Sequence, residues 1–216
     1  MPKFGLQGTI YPATVAAVPE LVAVAVDVAA PGRVGAAWLV ADFAGWTRVR
    51  TYLPKKLNLD AFDASARTAL AEAVVALTPC LDDADAALRH VVALLLERTE
   101  TPPAASVAVL HRRLADEQDP KVASALIGAI QAHDALTDAE TARLDDAPAP
   151  ARFAQAAGAL RQGAASEEQT RIAADLWNTC VGDYQASGAA ENLVAEVVGV
   201  NKLAALPPAD LEGNVW

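Results

Sequence analysis

Residues Val107–Ile130 read VAVLHRRLADEQDPKVASALIGAI, and the fold is decided there. Val107, Leu110 and Leu114 recur at helical spacing, Asp116-Glu117-Gln118-Asp119-Pro120 interrupts them, and Val122, Leu126, Ile127 and Ile130 resume the pattern. Apolar residues every three or four positions mark an amphipathic helix, and proline is tolerated in a helix only at its first turn. The stretch is therefore a helix, an acidic turn and a second helix. A looser copy follows: Thr137 to Leu144, then Asp145-Asp146-Ala147-Pro148, then Phe153, Ala157 and Leu160. Self-similarity at a period of roughly 30 to 45 residues is the signature of an α-solenoid, in which each helix pair buries its apolar face on its neighbours. Alignment of second helices on Leu88, Leu126 and Phe153 gives spacings of 38 and 27 residues.

Outward from this core, the same spacing predicts further helices. Leu88, Val91, Val92, Leu95 and Leu96 fit one helical face after Asp82-Asp83. Leu70, Val74 and Leu77 form another face, with Asp63 as its expected N-cap. A helix over Ala13–Val28 contains Pro19, and Pro31 opens the next, with Val34, Trp38 and Ala41 on one side. Ser166-Glu167-Glu168-Gln169 has the form of a capping box ahead of Ile172, Leu176 and Trp177. A last helix is expected over Ala189–Val200, before an extended tail from Pro207 to Trp216. The expected fold class is all-α, an α-solenoid of stacked antiparallel helix pairs with about five modules in one domain over residues 1–216. Its parts are a first helix pair over 7–45, a basic and aromatic loop over 46–60, regular repeats over 61–163 and less regular helices over 164–216.

Composition agrees with this class. The 216 residues are 53% hydrophobic but only 5% aromatic, and alanine, the best helix former, dominates the apolar count. A formal charge of −10 disfavours duplex nucleic acid, which needs a basic footprint, and suits a basic protein partner. Cys80 and Cys180 stand in no metal or redox spacing and read as reduced, buried thiols. Met1-Pro2-Lys3-Phe4 lacks a signal-peptide layout, and the apolar run Leu21–Ala30 is broken by Asp27. No membrane span and a cytoplasmic location are expected.

Leu110 to Val122 resembles the helix–turn–helix of HEAT-repeat proteins, specifically their alanine-rich bacterial kind. Asp119, Pro120 and Val122 stand where the family's turn carries Asp-Pro-x-Val, while Ala123 replaces its usual arginine. The opening Gln7-Gly8-Thr9-Ile10-Tyr11-Pro12-Ala13-Thr14 and the following Val18-Pro19-Glu20-Leu21-Val22 are similar to the start of such proteins. The resemblance covers residues 7–163 and implies a scaffold that captures a partner. A few HEAT-like solenoids are enzymes, namely alkylpurine DNA glycosylases and phycobilin lyases.

Two constellations are candidate partner sites. Asp82, Asp83 and Asp85, then Asp116, Glu117 and Asp119, then Asp145 and Asp146 all fall at turns between first and second helices. Stacking would line them up as an acidic ridge, although acids at helix N-termini also cap free N–H groups. The second is the loop carrying Trp46, Arg48, Arg50, Tyr52, Lys55 and Lys56, whose cation and aromatic content suits an interface. His90, His111 and His133 make no local metal motif. No nucleophile elbow, phosphate loop or Cys-x-x-Cys is present, so neither catalytic residues nor a cofactor or metal is expected.

The functional expectation is a non-catalytic protein-binding solenoid. In sharper form it is an immunity (antitoxin) protein that neutralises a basic toxin domain. The alternatives are a HEAT-like DNA glycosylase-type enzyme that meets DNA through the 46–60 loop, and a bilin-lyase-like scaffold. Oligomeric state is left open.

Overall fold

The computed structural model describes residues 12–49, 60–144 and 147–180. Among them are nine α-helices and no strand. They are α1 (Pro12–Val26), α2 (Arg33–Val49), α3 (Asp60–Leu77), α4 (Ala86–Arg98), α5 (Ala104–Asp116), α6 (Pro120–His133), α7 (Asp138–Leu144), α8 (Ala149–Arg161) and α9 (Glu167–Cys180). A short 3-10 segment, Thr78–Asp82, joins α3 to α4. The all-helical expectation holds, and no helix among the described residues is long and apolar enough to cross a membrane.

Packing alternates along the chain. α2 lies on α4, α4 on α6, α6 on α8 and α8 on α9, while α1 packs on α2 and α3, and α5 on α6. This places α4 and α6 in the middle, each between two even-numbered neighbours. Their burial follows: Val91 to Glu97 of α4 and Ser124 to Gln131 of α6 are buried without a break. Periodicity predicts a single apolar stripe on α4, and Leu88, Val91, Val92, Leu95 and Leu96 are indeed buried. The helix is nonetheless enclosed on all sides over nearly two turns, as befits an element flanked by helices.

α4, α6 and α8 are each fastened back to the preceding even-numbered helix by a polar side chain at or just past the C-terminal end. Arg98 of α4 donates to the Ala41 carbonyl of α2 (3.2 Å), and His133 of α6 lies 2.7 Å from the Leu96 carbonyl of α4. Gln162, just past α8, donates to the Gln131 carbonyl of α6 (2.7 Å). Leu96, which also accepts from the Thr99 N–H (3.3 Å), and Gln131 stand in the last turns of α4 and α6, where helical N–H partners run out, whereas Ala41 lies in the middle of α2. The N-caps mark the same register: Asp85, Asp119 and Pro148 precede α4, α6 and α8 at intervals of 34 and 29 residues. The alignment on Leu88, Leu126 and Phe153 therefore mismatches the helices. By distance from the cap, Leu88 corresponds to Val122 and Ala151, all three buried.

Several boundaries also differ from expectation. α2 begins at Arg33, because Gly32, at φ 84°, makes a left-handed turn after Pro31. α2 continues through Val49, so Trp46 and Arg48 lie on a helix rather than in a loop. Gly45 does not end it, and a Cβ there would rest in ordinary contact with the Arg98 side chain, 3.4 Å from its Cδ. α3 starts at Asp60, which places Asp63 inside the helix rather than at its cap. The capping box before α9 is present in both directions: the Ser166 N–H donates to Gln169 Oε1 (2.9 Å), and the Gln169 N–H to Ser166 Oγ (3.2 Å). Thr137 and Glu140 form a second one at α7, at 2.8 and 3.2 Å. Cys80 is a buried free thiol whose pKa burial pushes up. The expected helix over 189–200 and the tail lie outside the described residues.

Candidate functional site

The turns before α4 and α6 are adjacent, because one arginine touches both. Arg89, on the first turn of α4, donates from Nη1 to the carbonyls of Asp83 (2.9 Å) and Ala84 (3.1 Å). Its Nε and Nη2 grip both oxygens of Glu117, each at 2.9 Å. This forked geometry is the strong form of an arginine–carboxylate bond. Glu117 also accepts from the Gln118 (3.0 Å) and Asp119 (2.9 Å) backbone N–H groups and from Arg113 (3.1 Å). Its side chain is 1% exposed. Burial works to raise its pKa, but Arg89, the Asp119 N–H and Arg113 together hold it down at about 2.

Two of the three expected acid groups thus share one edge, but with four arginines woven among them. Arg33, the first residue of α2, binds Asp83 at 2.7 Å and holds that carboxyl below its ordinary range. Asp83 also accepts from the Asp85 N–H (2.9 Å). Asp85 caps α4 by accepting from Ala87 N–H (2.9 Å), and Asp119 caps α6 through the N–H groups of Lys121 (2.9 Å) and Val122 (3.2 Å). Asp82 is exposed and pairs with Arg112 at 2.7 Å, while Asp116 is exposed at the end of α5. Glu117 lies beneath the surface, out of a partner's reach, and Asp83, Asp85 and Asp119 hold the turns. Asp82 and Asp116 remain as outward charges. Asp145, Asp146, Arg50, Tyr52, Lys55 and Lys56 lie outside the described residues; Trp46 and Arg48 are placed only by their backbone in α2.

A second feature is invisible to sequence spacing. A groove of about 760 Å³ runs between the α4–α5 turn, one face of α5 and the end of α6. Its apolar side is Pro102, Ala104, Val107 and Ala108, and its polar side is Glu100, Thr101, His111, His133 and Asp134. His111 Nδ1 lies 2.9 and 3.1 Å from the two oxygens of Glu140. Burial pushes the Glu140 pKa up, but the Thr137 N–H and His111 outweigh it and leave the pKa lowered. The two histidines are half-buried, as expected of them singly, but they line one groove. Only the helical positions 104, 107, 108 and 111 on one face of α5 hint at this in the sequence. Among the described residues no group of three or more His, Cys, Asp or Glu is arranged to hold a metal.

Comparison of the chain with protein-family models, with curated proteins and with solved structures found no match.

Proposed function

We propose that this chain is a non-catalytic, protein-binding α-solenoid of the HEAT kind that receives a basic partner. In its sharper form the proposal is an immunity (antitoxin) protein that blocks a basic toxin domain. The observation that carries the reading is the recurring fastening of α4 to α2, α6 to α4 and α8 to α6. A unit that repeats its contacts with its neighbours builds an extended surface, and such surfaces hold partners. The net charge of −10 supports a basic one, and Asp82 and Asp116 supply outward charge on the shared edge.

The test is affinity capture with the full chain as bait, at low and moderate salt, beside a variant carrying Asp82→Lys and Asp116→Lys. One basic protein held in stoichiometric, salt-sensitive amount by the native chain, and weakly by the variant, is expected. A bait that holds nothing, nucleic acid or a pigment overturns the reading.

A further inference from the structure

We infer that His111 is a proton-operated clasp: doubly protonated, its ring holds Glu140 with one nitrogen and Asp134 with the other, tying α7 and the end of α6 to α5. The inference goes beyond the binding reading and does not depend on it. Nδ1 lies 2.9 and 3.1 Å from the two oxygens of Glu140. On the other side of the ring, Nε2 is buried, and Asp134 Oδ2 stands 3.4 Å from it without the alignment of a hydrogen bond. A ring with one proton donates to a single carboxylate, so its second nitrogen and the second carboxylate meet as two acceptors. A second proton turns that contact into a charge-assisted bond. The Asp134 side chain is 59% exposed and can make the small turn that alignment requires.

What the clasp holds is otherwise lightly attached. α7 has seven residues and packs slightly, on α8. Arg143 gives it a further tie to α5, donating to the Ala115 carbonyl at 2.7 Å. Glu140 also closes the capping box at the start of α7, so a pull on its carboxylate acts on the helix itself. The pKa of Glu140 is lowered, so it stays ionised while histidine titrates. On α5 itself, Arg112 is engaged with Asp82 (2.7 Å) and Arg113 with Glu117 (3.1 Å). Across the groove stand Glu100, ahead of α5, and His133, whose Nε2 meets the Leu96 carbonyl at 2.7 Å. Asp138, in the first turn of α7, is exposed. Because the second tie belongs to the charged ring, it is present on the acid side and is lost as pH rises.

The experiment is a double-mutant cycle on the full chain. Urea unfolding is measured for the native chain, His111→Gln, Asp134→Asn and the double variant at pH 5 and pH 8, the span over which histidine changes charge. Coupling between the two positions should change the unfolding constant about fivefold at pH 5 and should vanish at pH 8. Nitrogen NMR of the native chain with labelled histidine gives a second readout that needs no variant to fold. His111 Nε2 should carry a proton at pH 5 and none at pH 8, and the backbone amides of residues 134–144 should shift over the same pH range. Equal coupling at the two pH values, no coupling at pH 5, or an Nε2 that keeps one protonation state throughout overturns the inference. Because these measurements use the chain alone, their failure leaves the capture experiment to judge the protein-binding reading separately.

Discussion

Glu117→Gln removes one charge from a buried pair and leaves Arg89 facing a neutral amide. The Arg89 side chain is 10% exposed and the Glu117 side chain 1%, so solvent does little to replace the lost partner. The magnitude follows from the lowered pKa. Glu117 moves from 4.5 to about 2 on folding, and each unit corresponds to about 1.4 kcal/mol, which gives roughly 3 kcal/mol of stability at pH 7. Breaking one side of a buried pair costs about 3–5 kcal/mol in other proteins, in agreement. Because the folded pKa is the lower one, this contribution is complete above about pH 4.5 and fades as pH falls toward 2. Urea unfolding followed by circular dichroism at pH 7, 5, 4 and 3 is the assay. The native chain should exceed Glu117→Gln by about 3 kcal/mol at pH 7, and the gap should narrow steadily below pH 4.5. The double replacement Arg89→Met with Glu117→Leu should recover only part of the loss, since Arg113, the Gln118 and Asp119 N–H groups and the Asp83 and Ala84 carbonyls then lose their partners. A gap under about 0.5 kcal/mol at pH 7, or one that pH does not alter, would refute the assignment of Glu117 as a structural clasp.

Four further outcomes follow from single positions. Asp119→Ala removes the cap of α6 and should cost about 1 kcal/mol in urea unfolding, whereas a change within error would mean the cap is idle. Gly158→Ala drives a methyl group into the buried Gln131 side chain, whose amide bonds the Gln155 carbonyl at 3.0 Å. The helix gain of about 1 kcal/mol should be outweighed by that displaced amide, for a net loss of about 1–2 kcal/mol. Gly35→Ala meets nothing within 4 Å and should instead raise the urea midpoint, by about 0.5–1 kcal/mol in stability. Phe153→Ala empties a fully buried site in α8 and should cost about 3–5 kcal/mol by thermal or urea unfolding.

What the sequence disclosed was local. Periodicity located α4, α6 and α8, and Asp119-Pro120 marked the start of α6, because caps and apolar stripes are written within a few residues. The Ser166–Gln169 box was legible for the same reason. Position 45 closes the first expected helix pair, yet α2 passes through it to Val49 and carries Trp46 and Arg48 on its backbone. The acidic turns show the same limit. Their capping function is short-range and visible, but Arg89 reaches Glu117 across 28 residues and Arg33 reaches Asp83 across 50. Only the folded chain distinguishes Asp82 and Asp116, which face outward, from Glu117, which does not. His111 and Glu140 are 29 residues apart, so their contact leaves almost no trace in spacing.

The most direct test of the binding account is the rate at which the captured partner associates with the purified chain as ionic strength rises. Attraction between an acidic surface and a basic partner speeds encounter, and salt removes it over a Debye length of about 10 Å at 0.1 M. The account predicts an association rate that falls about tenfold or more from low to high salt, with a flatter response after Asp82→Lys and Asp116→Lys. A rate indifferent to salt, or a variant indistinguishable from the native chain, would contradict it.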